Sequence, residues 1–182
     1  MDLRTLEQKC RQFKKLEGRA SFYDLAVEIA DEHPIQAAII ILATWNVARF
    51  RFMVSDPQNL VDLKKRLEEC EPIFATVRDE DFRTVDFDLV GDQTKTAYSI
   101  LSKVKGVEYT GTSKVFHLFC RDLIVMWDVD IRDEYEKGVT PEDFLEFQKE
   151  MQRKFSHIGW SDKRKTLPKA IDEYNYVLVH SE

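Results

Sequence analysis

Residues 35–47, IQAAIIILATWNV, are apolar at nearly every position, interrupted only by Gln36, Thr44 and Asn46. A helix made of this segment is apolar on all its faces and has to be covered by the rest of the chain. His33-Pro34 precedes it, with proline suited to a first helical turn, and the pattern runs on to about Phe52. The segment is too short and too polar to cross a membrane. The expectation is a central core helix around which the other elements pack.

The other start and stop signals are also helical. Leu3, Leu6, Phe13 and Leu16 recur at helical spacing, predicting an amphipathic helix over 3–17 that ends near Gly18. Ser21 can cap a second helix, to about Glu32. Asp56-Pro57 pairs an N-cap acid with proline at the first helical position and starts a helix to about Cys70. Residues 71–91 are less regular. There Phe82, Val85, Phe87 and Leu89 fit either a short strand or a packed loop. Asp92 can cap a helix to about Lys105, ended by Gly106. Thr112 or Ser113 can cap the next, to about Phe119. Thr140 with Asp143 approximates a capping box, after which Phe144, Phe147, Met151 and Phe155 share a face. Pro168 opens a last helix. With only 6 Gly and 5 Pro, and 33% charged residues, the chain reads as one all-α domain over 1–182 with eight or nine helices.

Composition removes several function classes. The formal charge of −6 argues against a broad phosphate-binding surface but leaves room for a local basic face. Cys10, Cys70 and Cys120 are odd in number and far apart, which fits reduced thiols in a cytoplasmic protein. The first fifteen residues lack the apolar stretch of a secretory leader. The four histidines are scattered, and neither HExxH nor paired Cys/His spacing occurs, so no metal site is expected. Phosphate-cradling Gly-rich loops are absent, and no cofactor is expected.

The stretch from Lys105 to Arg132, KGVEYTGTSKVFHLFCRDLIVMWDVDIR, carries the candidate chemistry. It reads as a Gly-bearing turn, an apolar helix with Lys114 near its start, and an acidic turn at Trp127-Asp128. A turn at Gly106–Ser113 between two helices would present backbone N–H groups of Gly111, Thr112 and Ser113 to a phosphate; an ordinary helix connection reads the same way. A lysine in a first helical turn faces an unfavourable dipole, which lowers its pKa and frees the amine as a nucleophile. A solvated surface lysine is the alternative. Asp128 follows the apolar run Leu123–Trp127 and precedes Asp130, a setting that would raise a carboxyl pKa for acid–base work. It could equally cap a helix over 129–136.

This stretch resembles the helix-hairpin-helix DNA glycosylase superfamily, the group of endonuclease III and 8-oxoguanine glycosylase. The family pattern is a Gly-x-Gly hairpin, a lysine soon after, an apolar helix, then Val-Asp-[Thr/Val]-His-[Val/Ile]-Arg. Here the match is Gly111-Thr112-Ser113-Lys114, then Val115 to Phe119, then Trp127-Asp128-Val129-Asp130-Ile131-Arg132. The resemblance implies that Lys114 is a Schiff-base lysine and Asp128 the superfamily aspartate. It also implies a helical fold with a cleft between two lobes. The chain departs from the pattern in the 14-residue step from Lys114 to Asp128, in Asp130 standing where the family has histidine, and in a longer hairpin.

Other residues complete the expected site. Trp45 and Asn46, with His117 and Trp127, could line a pocket for a flipped base, since aromatic stacking plus an amide reads such a base. Core packing accounts for Trp45, Asn46 and His117 equally well. Lys163, Arg164 and Lys165 form the strongest basic cluster and could contact phosphate, or could be a solvated turn. The expected function is a DNA repair glycosylase, with or without AP-lyase activity, acting on double-stranded DNA through a site at about residues 93–138. The alternative is a non-catalytic helical DNA-binding or interaction module of the same fold.

Overall fold

The computed structural model describes residues 1–162 and 164–180, and only the backbone of Ala20. Lys163 lies outside the described residues. Among them are ten helices and no strand: α1 Leu3–Leu16, α2 Ala20–Ile29, α3 Pro34–Trp45, α4 Val47–Met53, α5 Pro57–Val77, α6 Gly91–Leu101, α7 Glu108–Phe119, α8 Val129–Glu134, α9 Pro141–Phe155 and α10 Leu167–His180.

Several ends follow from local chemistry. Asp56 accepts a hydrogen bond from the Gln58 N–H at 2.9 Å with Pro57 behind it, and Thr140 and Asp143 form a reciprocal capping box on α9. Asp92 is not a cap but sits in the first turn of α6, paired with Lys95. Helix α5 passes Pro72 and reaches Val77, seven residues beyond the expected end. The expected helix over 34–52 is broken at Asn46, which closes α3 and opens α4. The Asn46 amide donates to the carbonyls of Gly106 (2.9 Å) and Val107 (3.1 Å), fastening this break to the turn before α7.

Of the two readings open for Phe82, Val85, Phe87 and Leu89, the packed loop holds: residues 78–90 contain no strand. Phe82, Val85 and Phe87 are buried while Leu89 is exposed. The Gln152 amide of α9 donates to the carbonyls of Phe82 and Val85, supplying partners that a strand neighbour would otherwise give.

The centre of the fold is α7, not α3. Eight consecutive residues of α7, Gly111 to Leu118, are buried. Helix α3 packs on α2 and α7 and stands between two apolar clusters. Ala38 and Leu42 face the main core, while Ala37 and Ile41 face a smaller cluster with Tyr23, Ala26, Leu118 and Met126. Its all-round apolar surface thus reflects two neighbours rather than a central place. Around α7, α6 packs on α5 and α9, and α10 packs on α1 and α8. No helix among the described residues is long and apolar enough to cross a membrane.

Candidate functional site

Residues Leu123 to Trp127 are all buried and belong to no helix or strand. Buried backbone groups need partners, and here side chains provide them. Gln148 of α9 accepts from the Val125 N–H at 2.8 Å and donates to the Val125 carbonyl at 2.9 Å. His117 Nδ1 lies 2.5 Å from the Ile124 carbonyl. Ser113 Oγ accepts from the Trp127 N–H at 3.2 Å and lies 2.9 Å from the Trp127 carbonyl. Ser113 and His117 are one turn apart on α7, so one face of that helix runs along the extended segment. The spacing Ser113-Lys114-x-x-His117 followed by Leu123-x-x-x-Trp127 is therefore the footprint of this side-chain ladder.

That geometry relocates several expected residues. Gly111, Thr112 and Ser113 are not the start of a helix; α7 begins at Glu108, and the three lie inside it, buried. The Gly111 N–H donates to Val107 O, and the Thr112 hydroxyl bonds the Glu108 carbonyl at 2.5 Å. These residues present no free N-terminal turn. A Cβ on Gly111 would come within 2.7 Å of the Asn46 amide and 2.8 Å of a Leu42 methyl, so any larger residue there must displace those side chains. Trp127 is fully buried, its indole N–H directed at Tyr109 O, and it packs on Tyr98, Phe144 and Phe147. It is a core residue, as is Asn46.

Lys114 is the seventh residue of α7, past the reach of the N-terminal dipole. It is nonetheless only 7% exposed. Among the described residues its Nζ has one hydrogen-bond partner, the Trp127 carbonyl at 3.5 Å, the outer limit for such a bond; Ser113 Oγ lies 2.9 Å from the same carbonyl and 3.0 Å from the Thr110 carbonyl. Burial lowers the Lys114 pKa, and the Asp128 and Asp172 carboxylates offset part of that effect. No ion pair within 4.0 Å reaches it among the described residues. Asp128 is the N-cap of α8, its Oδ1 accepting from the Ile131 N–H at 2.9 Å, and it is half-buried.

Beside this pair is a charged cluster that sequence reasoning missed. The first seven residues of α10, Leu167 to Glu173, are buried. Lys169 Nζ lies 2.6 Å from Asp172 and 3.7 Å from Glu173, and Lys165 pairs with Glu173 as well. Burial opposes the charge on Lys169, but the two acids outweigh it and keep the ammonium protonated. The same ammonium stands over the rings of Phe13 (4.8 Å) and Tyr23 (5.1 Å). The sequence signal was a Lys-x-x-Asp-Glu spacing on a helix otherwise apolar enough to be buried. Lys165 is thus held by Glu173, whereas Arg164 remains exposed beside Asp162.

Tyr23 links the two groups, its hydroxyl 2.8 Å from His117 Nε2. Burial brings the His117 pKa down to about 4, leaving a neutral ring. Trp45, half-buried, meets Tyr23 edge to face and lines a pocket of about 170 Å3 with Phe13, Tyr23, Lys169 and Glu173. Of the four residues expected to read a base, Trp45 alone lines this pocket; Asn46, His117 and Trp127 do not.

No known protein settles the reading. The chain matches no family model, no curated protein and no solved structure. No three His, Cys, Asp or Glu side chains among the described residues are grouped to hold a metal ion.

Proposed function

We propose that this chain is a DNA repair glycosylase with lyase activity, in which Lys114 is the amine nucleophile. The observation that carries the proposal is the surplus buried amine. Lys114 Nζ reaches only the Trp127 carbonyl, at 3.5 Å, and Ser113 Oγ stands closer to that oxygen at 2.9 Å while also lying 3.0 Å from the Thr110 carbonyl. A desolvated amine near carboxylates is the state a Schiff-base nucleophile needs at neutral pH. In this scheme Lys114 Nζ attacks C1′ of the damaged nucleotide and the C1′–N bond to the base breaks. Asp128 stabilises the cationic sugar and accepts the proton lost by the amine. Its Oδ2 is left over from the cap on α8. Opening of the sugar ring gives the imine, and loss of the 3′ phosphate by elimination cuts the strand.

The helix-hairpin-helix of this proposal is α6, the turn over 102–107 and α7. Phosphate contact moves from Gly111–Ser113 to that turn, where Lys103 and Lys105 are exposed. Arg51 of the neighbouring α4 is exposed as well. This is a local basic face on an acidic chain, the arrangement that phosphate binding needs.

A second reading, a non-catalytic helical module, is favoured by one observation: Ser113, His117 and Asp128 all have structural bonds. Borohydride trapping on oligonucleotides bearing an abasic site, 8-oxoguanine, uracil or thymine glycol separates the two. The enzyme reading expects a covalent adduct that Lys114→Gln abolishes. Absence of adduct and of base release across the panel overturns the enzyme reading in favour of the module.

A further inference from the structure

A groove of about 660 Å3 lies along α5, and neither Lys114 nor Asp128 lines it. Its α5 residues, Lys64, Leu67, Glu68, Glu71, Phe74 and Arg78, recur at steps of three and four and so form one face of that helix. From Lys64 to Arg78 the face runs about 21 Å, roughly four helical turns. The opposite wall is the junction of α2 and α3 at Ala30, Asp31, Pro34 and Ile35, with Phe119 at the end of α7.

The floor is apolar. Leu67 and Phe74 are buried, and Ile35 and Phe119 are half-buried. Phe119 stacks on Phe74 with ring centroids 5.4 Å apart, and part of it stays uncovered. Leu60 and Val61, exposed one turn before Lys64, extend the apolar strip beyond the end of the groove.

The charges are lopsided. Both cations of the lining are paired on α5 itself, Lys64 with Glu68 at 3.9 Å and Arg78 with Glu71. Asp31 is the acid left over. It is exposed, as are Glu28 one turn earlier and Glu32 beside it. No ion pair within 4.0 Å reaches any of these three among the described residues. The α2 edge of an apolar groove thus carries three unpaired carboxylates.

We propose that this groove receives an amphipathic helix of a partner protein, with lysine or arginine along the edge that meets Asp31. A helix laid beside α5 sets side chains at i, i+3, i+4 and i+7 onto the floor. Its cations pair with Glu28, Asp31 and Glu32, which fixes its orientation. A second copy of the chain is the poorer occupant, because a formal charge of −6 is repelled by an acidic edge. The proposal is independent of the glycosylase reading and uses none of its residues.

The test is fluorescence anisotropy of a labelled peptide of roughly 14 residues, with leucine at i, i+3, i+4 and i+7 and lysine elsewhere, titrated with the intact protein. One control carries glutamate in place of lysine; another has the same composition in an order that breaks the leucine stripe. The leucine–lysine peptide is expected to bind at least about tenfold tighter than either control. Asp31→Lys combined with Glu32→Lys, both at exposed positions, should weaken it roughly tenfold or more. Asp133→Lys combined with Glu134→Lys makes the same change of charge on the exposed side of α8 and should shift it less than about threefold. Ile35→Asp puts a charge on the floor and should remove binding; the exposed double variants decide the matter if that protein does not fold. No binding at about 100 μM protein, equal binding of either control peptide, or equal loss in the two double variants overturns the proposal. Self-association that Ile35→Asp abolishes would place a second copy in the groove and overturn it as well.

Discussion

The hydroxyl of Tyr23 on α2 stands 2.8 Å from Nε2 of His117 on α7, joining residues 94 positions apart. The Ile124 carbonyl can only accept, so Nδ1 carries the ring proton and Nε2 accepts from Tyr23. The imidazole is thus neutral with both nitrogens satisfied.

A pH dependence follows. The folded pKa of His117 is about 4 against an ordinary 6.5. Burial is the main cause, with Asp172, Lys169 and Arg121 as the charges around it. Between these values the unfolded chain binds a proton that the folded chain does not. Stability is therefore full above pH 6.5 and falls as pH drops toward 4, by up to about 3 kcal/mol. Urea unfolding at pH 7.5 and 4.5 should show this slope, and His117→Gln should flatten it.

Tyr23→Phe removes the donor and leaves Nε2 unpaired in the core. The expected cost is about 1–3 kcal/mol at pH 7.5, read as a lower urea midpoint at unchanged slope.

Asp128 separates by substitution into cap and catalyst. Asp128→Ala loses the bond to the Ile131 N–H and should cost about 1 kcal/mol. Asp128→Asn keeps a capping oxygen and should stay within about 0.5 kcal/mol of wild type. If base release falls as far in Asp128→Asn as in Asp128→Ala, the charge is what the reaction uses. Equal activity of Asp128→Asn and wild type would leave only the cap.

Lys114 and Lys169 should respond oppositely to removal. Lys114→Met discards a buried amine with no ion-pair partner within 4.0 Å among the described residues and is expected to hold or raise stability, by up to about 2 kcal/mol at pH 7. Lys169→Met strands Asp172 and should cost about 3–5 kcal/mol, with part of the loss recovered on adding Asp172→Leu. Thermal unfolding of the four proteins tests the contrast.

Gly106 has φ +91, and a Cβ there would meet the Met53 backbone N at 2.6 Å. The Met53 Cβ and Cα follow at 2.8 and 2.9 Å, and none of the three is a flexible side-chain end. Gly106→Ala should destabilise by more than about 2 kcal/mol, and the loosened turn should also weaken any DNA binding through Lys103 and Lys105.

Local sequence was enough for the elements whose causes are local. Asp56-Pro57 and Thr140 with Asp143 cap the helices they were expected to cap, because a cap needs only a few neighbouring residues. The all-α class followed likewise, from apolar spacing and scarce glycine. Where a distant residue decides, the sequence was silent. Asn46 breaks the long apolar helix because it bonds the turn at Gly106 and Val107, sixty residues on. Gly111 looked like a turn residue but is a contact glycine inside α7, against which the Asn46 and Leu42 side chains pack. Lys114 and Asp128 were legible as a pair, yet what depresses the amine is burial among α7, α10 and the segment to Trp127, not its place on a helix. Dipole and capping act over one turn and can be read along the chain. Desolvation depends on which elements cover a group, and only the packing of α10 against α1 and α8 decided that.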